Sequence, residues 1–233
     1  MKKRIFSFVL ALMVSLSVIP VSVRAEGTGT WDGTTQTAPK AVGGVYQIGT
    51  AEELAWFAKK TQGSTTHGIS GKLTADIDLN DQAWVPISVV TSHKAEKGYT
   101  GTFNGNGHTI FGLNAIVDPN TTDAVGAALF GHVYGGTIKN LTVKGISNGK
   151  NYTAGIAAIL FNGTISDCTS DVTVNGARMI GGITGYMSNA DCKLIRCANT
   201  GNITGNDTGA VGGVCGTANK GEINACYNSG TVT

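Results

Sequence analysis

A pattern that returns four times between Ala124 and Thr233 constrains this chain more than any other feature. A small-small-apolar-x-small run recurs as Ala127 to Gly131, Ala154 to Ala158, Gly181 to Gly185 and Gly212 to Gly216. Each run is followed by two apolar residues three apart: Ile138 and Leu141, Ile165 and Cys168, Leu194 and Cys197, Ile223 and Cys226. Val143, Val174, Ile203 and Val232 read as a third apolar position that closes each unit. Equivalents lie 27 to 31 residues apart, most often 29, which is a solenoid period rather than a heptad.

No apolar i, i+3, i+4, i+7 stripe runs through the unit, so helical repeats are disfavoured. Short β-branched or small segments alternate with Asn148-Gly149, Asn162-Gly163, Asn175-Gly176 and Ser229-Gly230, residues suited to corners with positive φ. Three strands per coil describe an all-β, right-handed parallel β-helix with coils of about 29 residues, the hand following from the usual sense of parallel crossovers. Successive coils stack at about 4.8 Å, which turns equivalent residues into ladders. Small residues in the first strand let opposite walls approach.

The segments ALFGHVYGGTIKNLTVKG, GGITGYMSNADCKLIRCANTGNITG and GGVCGTANKGEINACYNSGTVT resemble the GLUG-type repeats of bacterial secreted and cell-surface proteins. TAEELAWFA, KLTADIDLN and YTGTFNGNGHTIFGLN are similar to the region that precedes such repeats. The resemblance implies a β-helical extracellular region, sometimes joined to a peptidase or adhesive module. It does not imply one activity, because fold and site are separate matters.

Lys2, Lys3 and Arg4 precede an apolar run from Ile5 to Val23, and Ala25 supplies a small residue at the cut, so residues 1–25 read as a secretory signal peptide. Removing it takes four of the 17 basic residues and leaves 13 against 15 acidic ones, a charge near −2. That balance gives no electrostatic case for nucleic acid or for an anionic membrane surface, and no membrane insertion is expected once the signal is cleaved. Residues 26–45 form a Gly- and Thr-rich lead-in in which Trp31 is expected to dock on the body. Residues 46–123 hold a short N-terminal capping α-helix and the first rungs, and residues 124–233 the four repeats. Thr50 and Glu53 make a capping box ahead of Leu54, Phe57 and Ala58 on one face, a lid for the first coil, with Trp56 in the lid packing.

Lys72 to Asn80 alternates as one half-buried strand with Leu73, Ala75, Ile77 and Leu79 inward. Asp76, Asp78 and Asn80 on the other face are weak metal candidates: the loop lacks the Gly and Glu of a calcium-binding EF-hand, and a solvated acidic face reads better. The two carboxylates are spaced acceptably for glycoside hydrolysis, yet nothing marks either as a buried acid. Gly101 to His108 runs into another strand, so its glycines are corners, not a phosphate loop, and His108 is expected to bond within the turn. Asn104 stands where the resembling pattern often has Asp. His67, His93 and His132 are scattered, and there is no His-Glu-x-x-His segment. Cys168, Cys197 and Cys226 share a register with Leu141 and read as inward packing. Cys192 and Cys215 lack metal spacing, and with five cysteines the disulfide state stays open.

No catalytic residues and no cofactor are therefore assigned. The expected function is a non-enzymatic spacer or adhesive surface at the cell exterior, with a glycan or a host or cell-surface protein as partner. Tyr134, Tyr152, Tyr186 and Tyr227 are compatible with polar stacking there. The alternatives are a carbohydrate-active β-helix, lyase or hydrolase, and the N-terminal region of a larger surface peptidase. Converging Asp, Lys or Arg across coils would favour an enzyme; Asn and Thr faces favour the spacer. The chain stops in an apparent strand at Val232, so a C-terminal continuation or a partner chain is expected to cover the last coil.

Overall fold

The computed structural model describes residues 30–62, 67–89, 98–116, 126–206 and 209–233. The signal segment and His93 lie outside the described residues. One wall stacks seven parallel strands in the order Val45–Ile48, Ser70–Leu73, Thr102–Asn104, Thr137–Asn148, Thr164–Asn175, Lys193–Ile195 and Glu222–Asn224. The two long strands turn a corner and pair onward with Thr109–Ile116, Ala198–Asn199 and Ile203–Thr204. A second wall holds Phe130–Tyr134, Ala157–Phe161, Thr184–Ser188 and Cys215–Ala218. A third holds Tyr152–Ala154, Met179–Gly181 and Ala210–Gly212. This is the parallel β-solenoid that the repeat requires.

The last coils set the period: Ile138 pairs with Ile165, Ile165 with Leu194 and Leu194 with Ile223, steps of 27, 29 and 29 residues. Phe103, Ile138, Ile165 and Leu194 are fully buried in one column, each such burial stabilising by about 2 kcal/mol. Beside it runs Leu141, Cys168 and Cys197, also buried. The residue before that second column is left-handed in each coil: Asn140, Asp167, Arg196 and Ala225 have φ of 53°, 54°, 50° and 51°.

Of these four, Ala225 bears the left-handed strain with no polar side chain to offset it. Ala225→Asn is therefore expected to stabilise the last coil by about 0.5–1 kcal/mol. Slower amide exchange over Glu222–Asn228 checks this; unchanged or faster exchange refutes it.

Two expectations need correction. Val143 does not belong with Val174: it pairs with Ser170, and the register mate of Val174 is Ser147, with Ile203 and Val232 following. The column through Val143 becomes polar, as Ser170, Asn199 and Asn228. Asn199 is fully buried; its Nδ2 donates to Asn228 Oδ1 and Gly201 O, both at 2.7 Å, while its Oδ1 has no hydrogen-bond partner. Second, Lys72 to Asn80 is two strands, Ser70–Leu73 and Ile77–Asp78, pairing in different ladders. Leu73, Ile77 and Leu79 are buried as expected, but Ala75 sits on the corner and is only half-buried.

The helix, α1 (Ala51–Thr61), follows the first strand of the first wall. Thr50 Oγ1 accepts from Glu53 N, and the Glu53 carboxylate reaches past the cap to accept from Gly49 N at 2.7 Å. Glu52 and Glu53 open the helix and Lys59 and Lys60 close it, matching its dipole. Leu54, Phe57 and Ala58 are buried, and Phe57 meets Phe103 at 5.7 Å and Tyr99 at 6.2 Å between ring centres. The helix thus plugs the core where no earlier coil is stacked. Among the described residues no helix is long and apolar enough to cross a membrane.

Candidate functional site

The outward ladders are mainly Thr, Asn and Ser. Thr137 aligns with Thr164, Thr142 with Thr169, and Asn148 with Asn175, whose Nδ2 donates to Asn148 Oδ1 at 2.7 Å. Two charged pairs on these faces run from coil to coil. Arg196 clasps Asp167 through two hydrogen bonds of 2.6 and 2.8 Å, and Lys144 lies 3.1 Å from Asp171. The guanidinium holds the Asp167 carboxyl below its usual range. Both pairs are well exposed, so they add little stability and fix a charge pattern instead.

The candidate set from the second coil is dispersed among separate partners. Asp76 is exposed; its Oδ1 accepts from Thr109 N at 2.9 Å and lies 3.1 Å from His108 Nδ1. The His108 ring thus bonds across to the preceding coil, while its backbone N–H donates to Gly105 O at 2.9 Å within its own turn, as the sequence suggested. Asp78 Oδ1 accepts from Asn80 N, while Asn80, at φ 53°, donates Nδ2 to Trp31 O. Among the described residues no three His, Cys, Asp or Glu side chains gather as a metal site. Asn104 Oδ1 accepts from Asn106 N and Asn140 Nδ2, so that amide builds a corner.

All five cysteines are free thiols. Cys168 and Cys197 are buried, and the Cys197 N–H donates to Cys226 Sγ at 3.3 Å, one coil to the next. Burial pushes the Cys168 thiol well up and Cys215 up to about 12, while a hydrogen bond from Cys168 draws Cys197 down. Inward packing in a shared column describes Cys168 and Cys197. Of the tyrosines, Tyr152 and Tyr186 meet at 6.1 Å, with Phe161 5.9 Å from Tyr186 and in register with Tyr134, forming a half-buried aromatic patch. Tyr227 stands apart, in register with Ala198 past the corner, and is 59% exposed.

Sequence reading missed the cavity. A pocket of about 160 Å³ opens between the lead-in, α1 and the Ala83 to Val85 segment, lined by Trp31, Gln36, Ala58, Lys59, Gln62 and Trp84 among others. Trp31 and Trp84 are each 4% exposed and meet edge-on at 6.1 Å. Their indole N–H groups donate to Thr35 O and Leu129 O, which fixes both rings. Asp32 accepts from Thr34 N, Thr35 N and Thr35 Oγ1, holding the lead-in turn and drawing its own carboxyl pKa down. Helix positions 55, 58, 59 and 62 share the face turned to the pocket; Ala55 and Ala58 leave the space and Lys59 and Gln62 edge it.

No known family profile matches the sequence. The chain is 33% identical over 171 residues to Halomucin of Haloquadratum walsbyi; the match takes in 67% of this chain and 2% of the length of that much longer protein. Among solved structures, it is similar to a provisionally named immunoglobulin A1 protease from Bacteroides ovatus, with a TM-score of 0.54, 18% identity, and coverage of 81% of this chain and 76% of that one. At that identity the likeness is one of fold.

Proposed function

We propose that this chain is a non-catalytic β-helical segment of an exported bacterial surface protein, of the GLUG-repeat type, acting as a spacer with an adhesive face. The observation that carries the reading is the outward surface: Thr and Asn ladders on which Arg196 is closed onto Asp167 and Lys144 onto Asp171 between coils, in place of a groove of converging acids and bases. Catalysis of glycan cleavage needs two carboxylates opposed across one bond, or a base beside a charge-stabilising group. Asp76, Asp167 and Asp171 are each committed to a different neighbour. The similarity to Halomucin supports a place in a long chain, and the solenoid supplies reach at about 4.8 Å per coil.

The test presents the purified chain with immobilised pectic and host glycans and reads both retention and reducing-end release. Retention without release is the expected result. Release of reducing ends that survives removal of contaminants overturns the reading and makes the protein a carbohydrate-active enzyme.

A further inference from the structure

We propose that the pocket between the lead-in, α1 and the Ala83 to Val85 segment is a binding site for a single sugar ring, preferring one that carries a carboxylate. The proposal deepens the adhesive reading by giving it a place and a ligand class, and it stands on the shape and lining of the cavity.

The floor is apolar and buried: Trp31 and Trp84 with Ala55 and Ala58. The rim is polar: Gln36 and Lys59 are exposed and Gln62 half-buried, while Val85, 59% exposed, makes one lip. A pyranose has this same division, with a C–H face on one side and hydroxyls round its edge. At about 160 Å³ the cavity holds roughly five waters, which suits one ring and excludes a drug-sized ligand. The two amides supply paired donors and acceptors for vicinal hydroxyls. The Lys59 ammonium adds one charge-assisted donor at the rim, the group that favours an acidic sugar over a neutral one.

The pocket is built before a ligand arrives. Both indole N–H groups are already bonded to backbone carbonyls, and the Asp32 turn fixes the segment that carries Gln36. Ordering costs on binding then fall mainly on three rim side chains.

The experiment titrates the whole mature chain with galacturonate, glucose, galactose and N-acetylglucosamine, read by tryptophan fluorescence and by saturation-transfer NMR. Saturable binding is expected, tighter for galacturonate than for galactose by about tenfold at low salt. Lys59→Ala should bring the two sugars level while leaving galactose binding intact. The double variant Gln36→Ala, Gln62→Ala should weaken both at least tenfold with an unchanged unfolding midpoint. No saturable response to any of the four at 20 mM, or a response the double variant retains, overturns the proposal. If the chain is held by glycan polymers while this titration fails, the adhesive reading stands and the pocket does not serve it. If the pocket binds sugar but the glycan assay shows cleavage, the site survives and the non-catalytic reading falls.

Discussion

Gly181→Ala is expected to cost about 3 kcal/mol, far more than a methyl group usually does on a β-protein surface. Gly181 begins the sharp bend Gly181-Gly182-Ile183-Thr184-Gly185, where the third wall folds back toward the second. A Cβ on it would stand 2.1 Å from Thr184 O, 2.7 Å from Gly216 N and 3.0 Å from Cys215 Cα. All three atoms are backbone, one in the same bend and two in the next coil, so no rotamer change relieves the clash. The control is Gly44→Ala, where nothing lies within 4 Å but φ is 80°; its cost should stay near 1 kcal/mol, set by backbone conformation alone. Because each coil touches only its neighbours, the damage should be local. Hydrogen exchange should show protection lost in the coils from Tyr152 to Ala218 and kept in strands before Tyr134. A Gly181→Ala loss no larger than the control would mean that the bend yields to the added methyl and does not set the path between the two walls.

That bend was legible as a run of small residues, and so was the coil period, because Ile, Leu and Cys hold one apolar column at a nearly constant step. The polar column was not. Ser170, Asn199 and Asn228 give no apolar signal, and the sequence aligns Val143 with Val174 instead. Burial of Asn199 is tolerated because its Nδ2 finds two acceptors, one of them in the next coil, a condition that no single coil displays. A local sign was present: Asn199 and Asn228 each precede a glycine by two residues, and each side chain caps that glycine's carbonyl at 2.7 Å.

The same limit hid the break in the second coil and the pocket. Alternation continues from Leu73 through Ala75 to Ile77, but a corner and a strand edge satisfy one two-residue rhythm equally well. The pocket joins residues 31–36, 55–62 and 83–85, three segments of which no two share a motif. Trp31 was expected to dock, yet its partner Trp84 and the space left by Ala55 and Ala58 follow only from the way the lead-in crosses the helix. His108 shows this on a smaller scale, since Asp76, its partner, lies 32 residues back, one coil away.

Phe57→Ala should be the most damaging change in the capping region, at about 4 kcal/mol. Phe57 is fully buried, with ring centres 6.3 Å from Tyr46, 6.2 Å from Tyr99 and 5.7 Å from Phe103. Its space is reserved by Gly71, where a Cβ would meet the Phe57 ring and Ile48 Cδ1 at 3.0 Å. With no side chain at residue 71 to swing inward, the truncated site keeps its cavity, and the cost sits at the upper part of the usual range. Trp56→Ala, one residue away on the half-buried face against Tyr46 and Lys60, should cost about 1 kcal/mol. The ratio between the two separates a plug from a helix that merely lies alongside. A plug also covers the apolar end of the core, the outer edge of the first strand being taken by Ala41–Val42 in an antiparallel pair, so Phe57→Ala should bring concentration-dependent association in light scattering before unfolding is complete. Equal costs for the two variants, with both staying monomeric, would remove the helix from its capping role and leave the first coil stabilised by something other than α1.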